Sequence, residues 1–136
     1  MRVCVSACLL GERCKYNGGD NLRPGLSESL ADDEVVAVCP EILGGLPVPR
    51  DPAELRGGRV VTERGEDVTD AFCDGVRRAL RIIEEAGGVD MAILQPRSPS
   101  CGVNEVYDGT FSGCLVEGSG LFACALRERG IPVREP

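Results

Sequence analysis

The sequence predicts a small α/β domain: a doubly wound, Rossmann-like parallel sheet of about four strands, with helices on both faces and long loops at its carboxyl edge. Three observations predict it. Short apolar runs bounded by turn residues stand at Val3–Val5, Val35–Val38 and Met91–Leu94, each the length of a buried strand. Apolar residues at helical spacing fill the stretch before the third run. The order of elements, strand then helix repeated to a final strand, is that of parallel sheets wound from βαβ units.

Each element has its own warrant. Val3–Val5 reads as strand one, followed by a glycine-rich polar loop from Gly11 to Gly25. A short helical stretch around Leu26–Ala31 leads into strand two, Val35–Val38. After Cys39-Pro40-Glu41, the prolines and glycines between Leu43 and Pro52 exclude a regular helix. Val60–Thr62 fits a small strand or hairpin arm. The clearest helix starts near Asp67 or Thr69, either able to cap, and runs to about Ala86. Phe72, Val76, Ala79, Leu80 and Ile83 form its apolar stripe. Strand three, Met91–Leu94, precedes a long loop from Gln95 to Gly120. A last helix from about Ser119 to Gly130 leads to an edge strand at Ile131–Val133. Loops that long in a small domain tend to carry function.

At 136 residues the chain reads as a single domain, residues 1–136, and its 43% apolar content is ordinary for a globular protein. No apolar run approaches the roughly 20 residues that span a bilayer, so no membrane partner is expected. Met1–Leu10 reads as a strand and turn rather than an export signal, which places the chain in the cytoplasm. In that reducing compartment its eight cysteines are thiol, metal or core candidates rather than disulfides. A net charge of −7 without a dense basic cluster argues against nucleic acid as a partner. With no histidine, Ser/His and Cys/His nucleophilic pairs are excluded within the chain.

The cysteines divide by context. Cys4, inside strand one, and Cys73 and Cys124, inside helices, read as small buried hydrophobes. Cys14 and Cys114 sit in loops without an assigned role. Cys8, Cys39 and Cys101 each follow an apolar run, so three parallel strands would bring their thiols to one sheet edge, where open α/β sheets bind ligands. Three such thiolates read as a metal or iron–sulfur site lacking an obvious fourth ligand. Pro40 removes an N–H donor and discourages helix continuation directly after Cys39, and Gly102 after Cys101 permits a bulky group to approach the backbone.

Taken together, Ser6-Ala7-Cys8-Leu9-Leu10-Gly11, Tyr16-Asn17-Gly18-Gly19, Cys39-Pro40-Glu41, Gly44–Arg50, Asp67-Val68-Thr69, Arg97–Gly102 and Tyr107–Gly113 carry a family resemblance. They resemble a small bacterial domain-of-unknown-function family related to 2-thiouracil desulfurase, in order and over nearly the whole chain. The resemblance implies a [4Fe-4S] cluster held by three cysteines, matching Cys8, Cys39 and Cys101, with the fourth iron open to sulfur from a thiolated nucleobase. It implies non-redox desulfuration of a 2-thiouracil-like thiocarbonyl compound to the carbonyl compound and sulfide.

Such a reaction needs a group to manage protons on water. Glu41, two residues beyond Cys39, is the first candidate, and its competing readings are a helix-terminal carboxylate or a partner for Arg50. Ser98 is the candidate substrate contact and Ser100 a hydrogen-bonding partner of substrate or cluster. Tyr16, Asn17, Tyr107 and Asp108 either line the substrate pocket or merely form two Tyr-Asx-Gly turns.

Two other classes compete. One is a non-catalytic zinc or iron–sulfur scaffold, whose closed site would recruit a fourth thiolate from Cys14 or Cys114. The other is a metal-free domain binding a small molecule, for which Gly18-Gly19 and Gly44-Gly45 are weak phosphate-loop signals. The oligomeric state is not readable from the sequence.

Overall fold

The computed structural model describes residues 1–136. Strands β1 (Arg2–Ser6), β2 (Glu34–Val38), β5 (Met91–Ile93) and β8 (Val133–Arg134) form one sheet in the order β2-β1-β5-β8. Every pairing in it is parallel, with Val3 opposite Val35 on one side and Met91 on the other. The chain winds from β1 to the β2 edge, then crosses back past β1 to β5. The β1/β5 junction is therefore the point where the winding direction reverses.

Two apolar layers sandwich the sheet. Helices α3 (Thr69–Glu85) and α4 (Leu121–Glu128) cover one face, packing Val76, Leu80, Phe122 and Leu126 against Cys4, Val38 and Ala92. A 3-10 turn at Ala7–Leu10 and the single-turn helix α1 (Leu26–Ser29) cover the other, packing Leu9, Leu26 and Leu30 against Val3, Val5 and Ile93. All five residues of the expected α3 stripe are buried. Neither expected cap is the N-cap of α3, which is Val68: Asp67 accepts the Thr69 N–H and the Arg59 Nε–H, each at 2.9 Å, and Thr69 accepts the Val60 N–H at 2.8 Å, so both fasten the start of α3 to the neighbouring strand β4 (Arg59–Thr62). No helix is long and apolar enough to cross a membrane.

Several expectations need correction. Pro40 does not discourage a helix: it occupies the first position of α2 (Pro40–Leu43), with Cys39 as the N-cap. A missing N–H costs nothing there, and the fixed φ of proline suits the first turn. The Gln95–Gly120 segment is not all loop, because β6 (Glu105–Tyr107) and β7 (Leu115–Glu117) pair antiparallel inside it. The expected arm Val60–Thr62 is borne out, pairing antiparallel with β3 (Ala53–Arg56). Cys124 is exposed rather than core, since the buried positions of α4 are Phe122, Ala123 and Leu126.

Helix α2, which delivers Cys39 and Glu41, lies backbone-to-backbone on α3. A Cβ at Gly75 would come 1.7 Å from the Pro40 carbonyl oxygen, and one at Gly44 would come 2.1 Å from that of Ala71. Only glycine admits this approach. Gly75→Ala is expected to cost about 1–3 kcal/mol through overpacking, read as a lower denaturation midpoint. An unchanged midpoint would contradict this packing.

Candidate functional site

Because the sheet is parallel, β1, β2 and β5 end on the same side, and the segments beyond them enclose a cavity of about 570 Å³. Cys8, Cys39 and Cys101 all line it, and so does Cys14. Each is held by a different local device. Cys8 lies in the 3-10 turn, and its carbonyl accepts the Asn21 N–H at 3.0 Å, folding the glycine-rich loop back over the strand end. Cys39 is placed by the start of α2. Cys101 sits in a tight turn, its N–H donated to Ser98 Oγ at 2.7 Å and the Gly102 N–H to the Ser98 carbonyl at 2.9 Å.

That turn also caps α4. The Leu121 N–H bonds the Pro99 carbonyl at 3.0 Å, and the Phe122 N–H bonds that of Ser100 at 2.8 Å. The free N–H groups of the helix are thus satisfied by the cysteine loop instead of a side-chain cap. Gly102 is required by this turn: a Cβ there would come 2.7 Å from the Ser98 oxygen. At the β1/β5 junction, the Gln95 N–H bonds Ser6 Oγ at 3.0 Å.

A buried polar chain links the three cysteine segments. Arg50 Nη2 lies 3.0 Å from Glu41 Oε1, with only 8% and 15% of the two side chains exposed. The guanidinium also donates to the Cys14 carbonyl at 2.8 Å and the Pro47 carbonyl at 3.3 Å. On the far side, Ser100 Oγ donates to Glu41 Oε2 at 2.8 Å, and Ser98 Oγ lies 3.3 Å from Ser100 Oγ. A hydroxyl has one proton, so if Ser100 gives its own to Glu41, Ser98 is the donor to Ser100. Both competing readings of Glu41, helix-terminal carboxylate and Arg50 partner, therefore hold together with its reach to the Cys101 loop.

The thiols differ in character. Cys8 is drawn down to about 7, chiefly by a hydrogen bond from the Cys14 thiol, with burial opposing and Asn21 assisting. Cys39 is also lowered, first by Cys14. Cys14, the shared donor, is pushed up by its bonds to Cys39 and Cys8 and by burial. Burial raises Cys101, partly offset by Ser6 and Ser100. Cys4, sealed in the core, rises to about 12 from burial alone.

The other candidates separate cleanly. Tyr16, Tyr107, Ser98 and Ser100 line the cavity, whereas Asn17 and Asp108 do not. Asn17 accepts the Gly19 N–H at 2.9 Å and Asp108 the Thr110 N–H at 2.9 Å, each side chain closing its own turn. Cys114 is exposed and outside the cavity. Sequence reasoning offered Cys14 only as a fourth ligand of a closed site and Arg50 only as a Glu41 partner, and missed that Cys14 lines the cavity and that Arg50 ties the loops together. The signal for Cys14 was its place on a glycine-rich loop that turns back after Gly11.

No three Cys, Asp or Glu side chains are gathered closely enough to grip one metal ion. Soft thiols spaced around a cavity fit a multi-iron cluster, whose ligands stand at separate corners, better than a single zinc in a tetrahedral cage.

The sequence profile of the 2-thiouracil desulfurase family matches residues 3–135. The chain belongs to that family. It is 38% identical over 141 residues to the uncharacterized protein YbbK of Bacillus subtilis (strain 168), covering 96% of this chain and 93% of YbbK. Its fold superposes with TM-score 0.92 on a solved [4Fe-4S]-dependent thiouracil desulfidase, TudS (DUF523Vcz). The two share 41% identity over 98% of this chain and 89% of that one. Family membership and this superposition bear out the resemblance drawn from the motifs.

In cluster-free protein, alkylation of Cys8 by iodoacetamide should rise with pH through a midpoint of about 7. The thiolate is the reactive form, and its hydrogen bond from Cys14 favours it. Cys14→Ala removes that bond and leaves burial dominant, so the midpoint should move upward. Peptide mapping of the modified protein reads both. A midpoint indifferent to Cys14 would contradict the contact.

Proposed function

We propose that this chain removes sulfur from a thiolated nucleobase such as 2-thiouracil, releasing the carbonyl base and sulfide with no net redox change. The observation that carries the reading is the meeting of Cys8, Cys39 and Cys101 around one cavity with Glu41 and Ser100, in a chain with TM-score 0.92 to a [4Fe-4S]-dependent thiouracil desulfidase. Cys8, Cys39 and Cys101 would hold the cluster. When bound, it supplies a soft Lewis-acidic iron that attracts a thiocarbonyl sulfur in preference to a carbonyl oxygen.

The chain's own residues handle water and protons. Glu41 accepts one proton of the water that attacks the C=S carbon; the C=S double bond is replaced by C=O, the sulfur leaves as hydrosulfide carrying one of the two water protons, and the other passes from Glu41 to solvent. Both carboxylate oxygens already accept a bond, to Arg50 and Ser100, but each keeps a second lone pair for this water. Ser98 and Ser100 form the hydroxyl chain that shares the proton and orients the carboxylate. Tyr16 and Tyr107 form walls of the substrate cavity. Arg50, positioned rather than reacting, balances the Glu41 charge in a site where burial makes an unpaired carboxylate costly.

One observation favours a second reading. Cys14 lines the same cavity as Cys8 and Cys39, and a metal that displaced its proton would gain a fourth thiolate and close the site into a structural centre.

The test is anaerobic reconstitution, followed by assay of 2-thiouracil for uracil and sulfide in H₂¹⁸O. The account predicts equal amounts of uracil and sulfide, with labelled oxygen in the uracil. Glu41→Gln should lower kcat by about 100-fold or more, with iron content retained. Cys14→Ala should keep cluster and activity. Loss of the cluster in Cys14→Ala, with no sulfide from wild type, would establish the structural centre instead.

A further inference from the structure

The chain has five aromatic residues and no tryptophan. Phe72 and Phe122 are fully buried in the core. The remaining three, Tyr16, Tyr107 and Phe111, all line the one cavity. A second, independent feature falls in the same place. Only two non-glycine residues adopt a left-handed backbone, Arg97 at φ 70° and Phe111 at φ 56°, and both line that cavity. For a bulky side chain such a conformation persists only where its surroundings enforce it.

The surroundings of Phe111 do enforce it. Glu54, on β3, accepts the Gly109 N–H at 3.0 Å and the Phe111 N–H at 3.1 Å through the same oxygen, Oε1. The neighbouring Arg56 donates from Nε to the Gly109 carbonyl at 3.0 Å. Gly109 fits because it lacks a Cβ, which would lie 2.7 Å from the Leu55 oxygen. The β3–β4 hairpin therefore clamps the loop between β6 and β7. Phe111 belongs to neither core cluster and is half-buried, so core packing does not account for the strain. What the clamp maintains is Phe111 in the cavity lining.

We infer that Phe111 determines specificity for a flat heterocycle, its ring stacking on the base, and that Glu54 is its positioning residue. The inference rests on the thiolated-base reading and adds a residue outside the cysteine and Glu41 machinery. An aromatic face stacks on a planar π system and gains less from a puckered, saturated ring of the same size. Glu54 acts by accepting two N–H bonds, a task an amide oxygen can also perform.

The test measures dissociation constants for 2-thiouracil and for its saturated 5,6-dihydro analogue from the binding phase of anaerobic stopped-flow titrations of the holoprotein, read by cluster absorbance before turnover consumes the ligand. Sulfide release and iron content are recorded separately. Wild type should prefer the planar ring. Phe111→Gly, which suits the left-handed backbone and so guards against misfolding, should bind 2-thiouracil about 10-fold more weakly or worse. Its preference over the dihydro compound should be lost, with iron content unchanged. Glu54→Ala should follow Phe111→Gly, whereas Glu54→Gln should keep the preference.

A Phe111→Gly protein that still discriminates, or Glu54→Gln as damaged as Glu54→Ala, would overturn the inference. Wild type that prefers the planar ring yet releases no sulfide would sustain it while refuting desulfuration. Wild type that releases sulfide but binds both rings alike would do the reverse.

Discussion

Strand β1 is paired in parallel along both edges, with β2 on one side and β5 on the other. Parallel pairing aligns carboxyl ends, so residues far apart in sequence, Cys8, Cys39 and the Cys101 turn, leave the sheet at the same edge. The register is secured from both faces. Val3 and Val5 meet the α1 layer while Cys4 meets the α3 and α4 layer, and a slip of one residue would exchange these sides. The junction of β1 with β5 is where the winding reverses, which opens a crevice that no crossover covers. The cavity follows from topology before any catalytic side chain is considered.

Above that edge the segments are long and irregular, and polar contacts rather than apolar burial hold them in place. The chain from Arg50 through Glu41 to Ser100 joins the loop after β1, the start of α2 and the Cys101 turn. Burying a charged pair is a poor source of stability, because desolvation offsets much of the attraction. Its value here is geometric: a guanidinium with fixed donor directions sets the distance between loops that share no core. The same pair leaves Glu41 inside the cavity wall, with its carboxylate oriented from both sides. Positioning of the cysteine-bearing segments and orientation of the Glu41 carboxylate are thus one arrangement.

How much of this was legible follows from the kind of signal each part leaves. The sheet was readable because its strands are near-continuous apolar runs, and α3 because its buried stripe repeats over four turns. Strands β6 and β7 were not, since three residues are too few to show alternation among so many glycines and serines. Pro40 was misread because proline stops a helix from within but begins one at its first position. The three cysteines were legible from their placement after strands. Cys14, Arg50 and Phe111 were not, because their roles depend on loops folding back across one another. Asn17 and Asp108 looked like pocket residues only by adjacency to tyrosines, and their side chains close turns instead.

The central claim is that Cys8, Cys39 and Cys101 hold a [4Fe-4S] cluster whose remaining iron is left free of protein thiolate for sulfur. Mössbauer spectroscopy of anaerobically ⁵⁷Fe-reconstituted protein, before and after addition of 2-thiouracil, tests it most directly. The account predicts three similar irons and one distinct iron, with the distinct signal alone shifting when the thiocarbonyl compound is added. Four alike irons that ignore 2-thiouracil, or a protein that takes up no four-iron cluster, would contradict it.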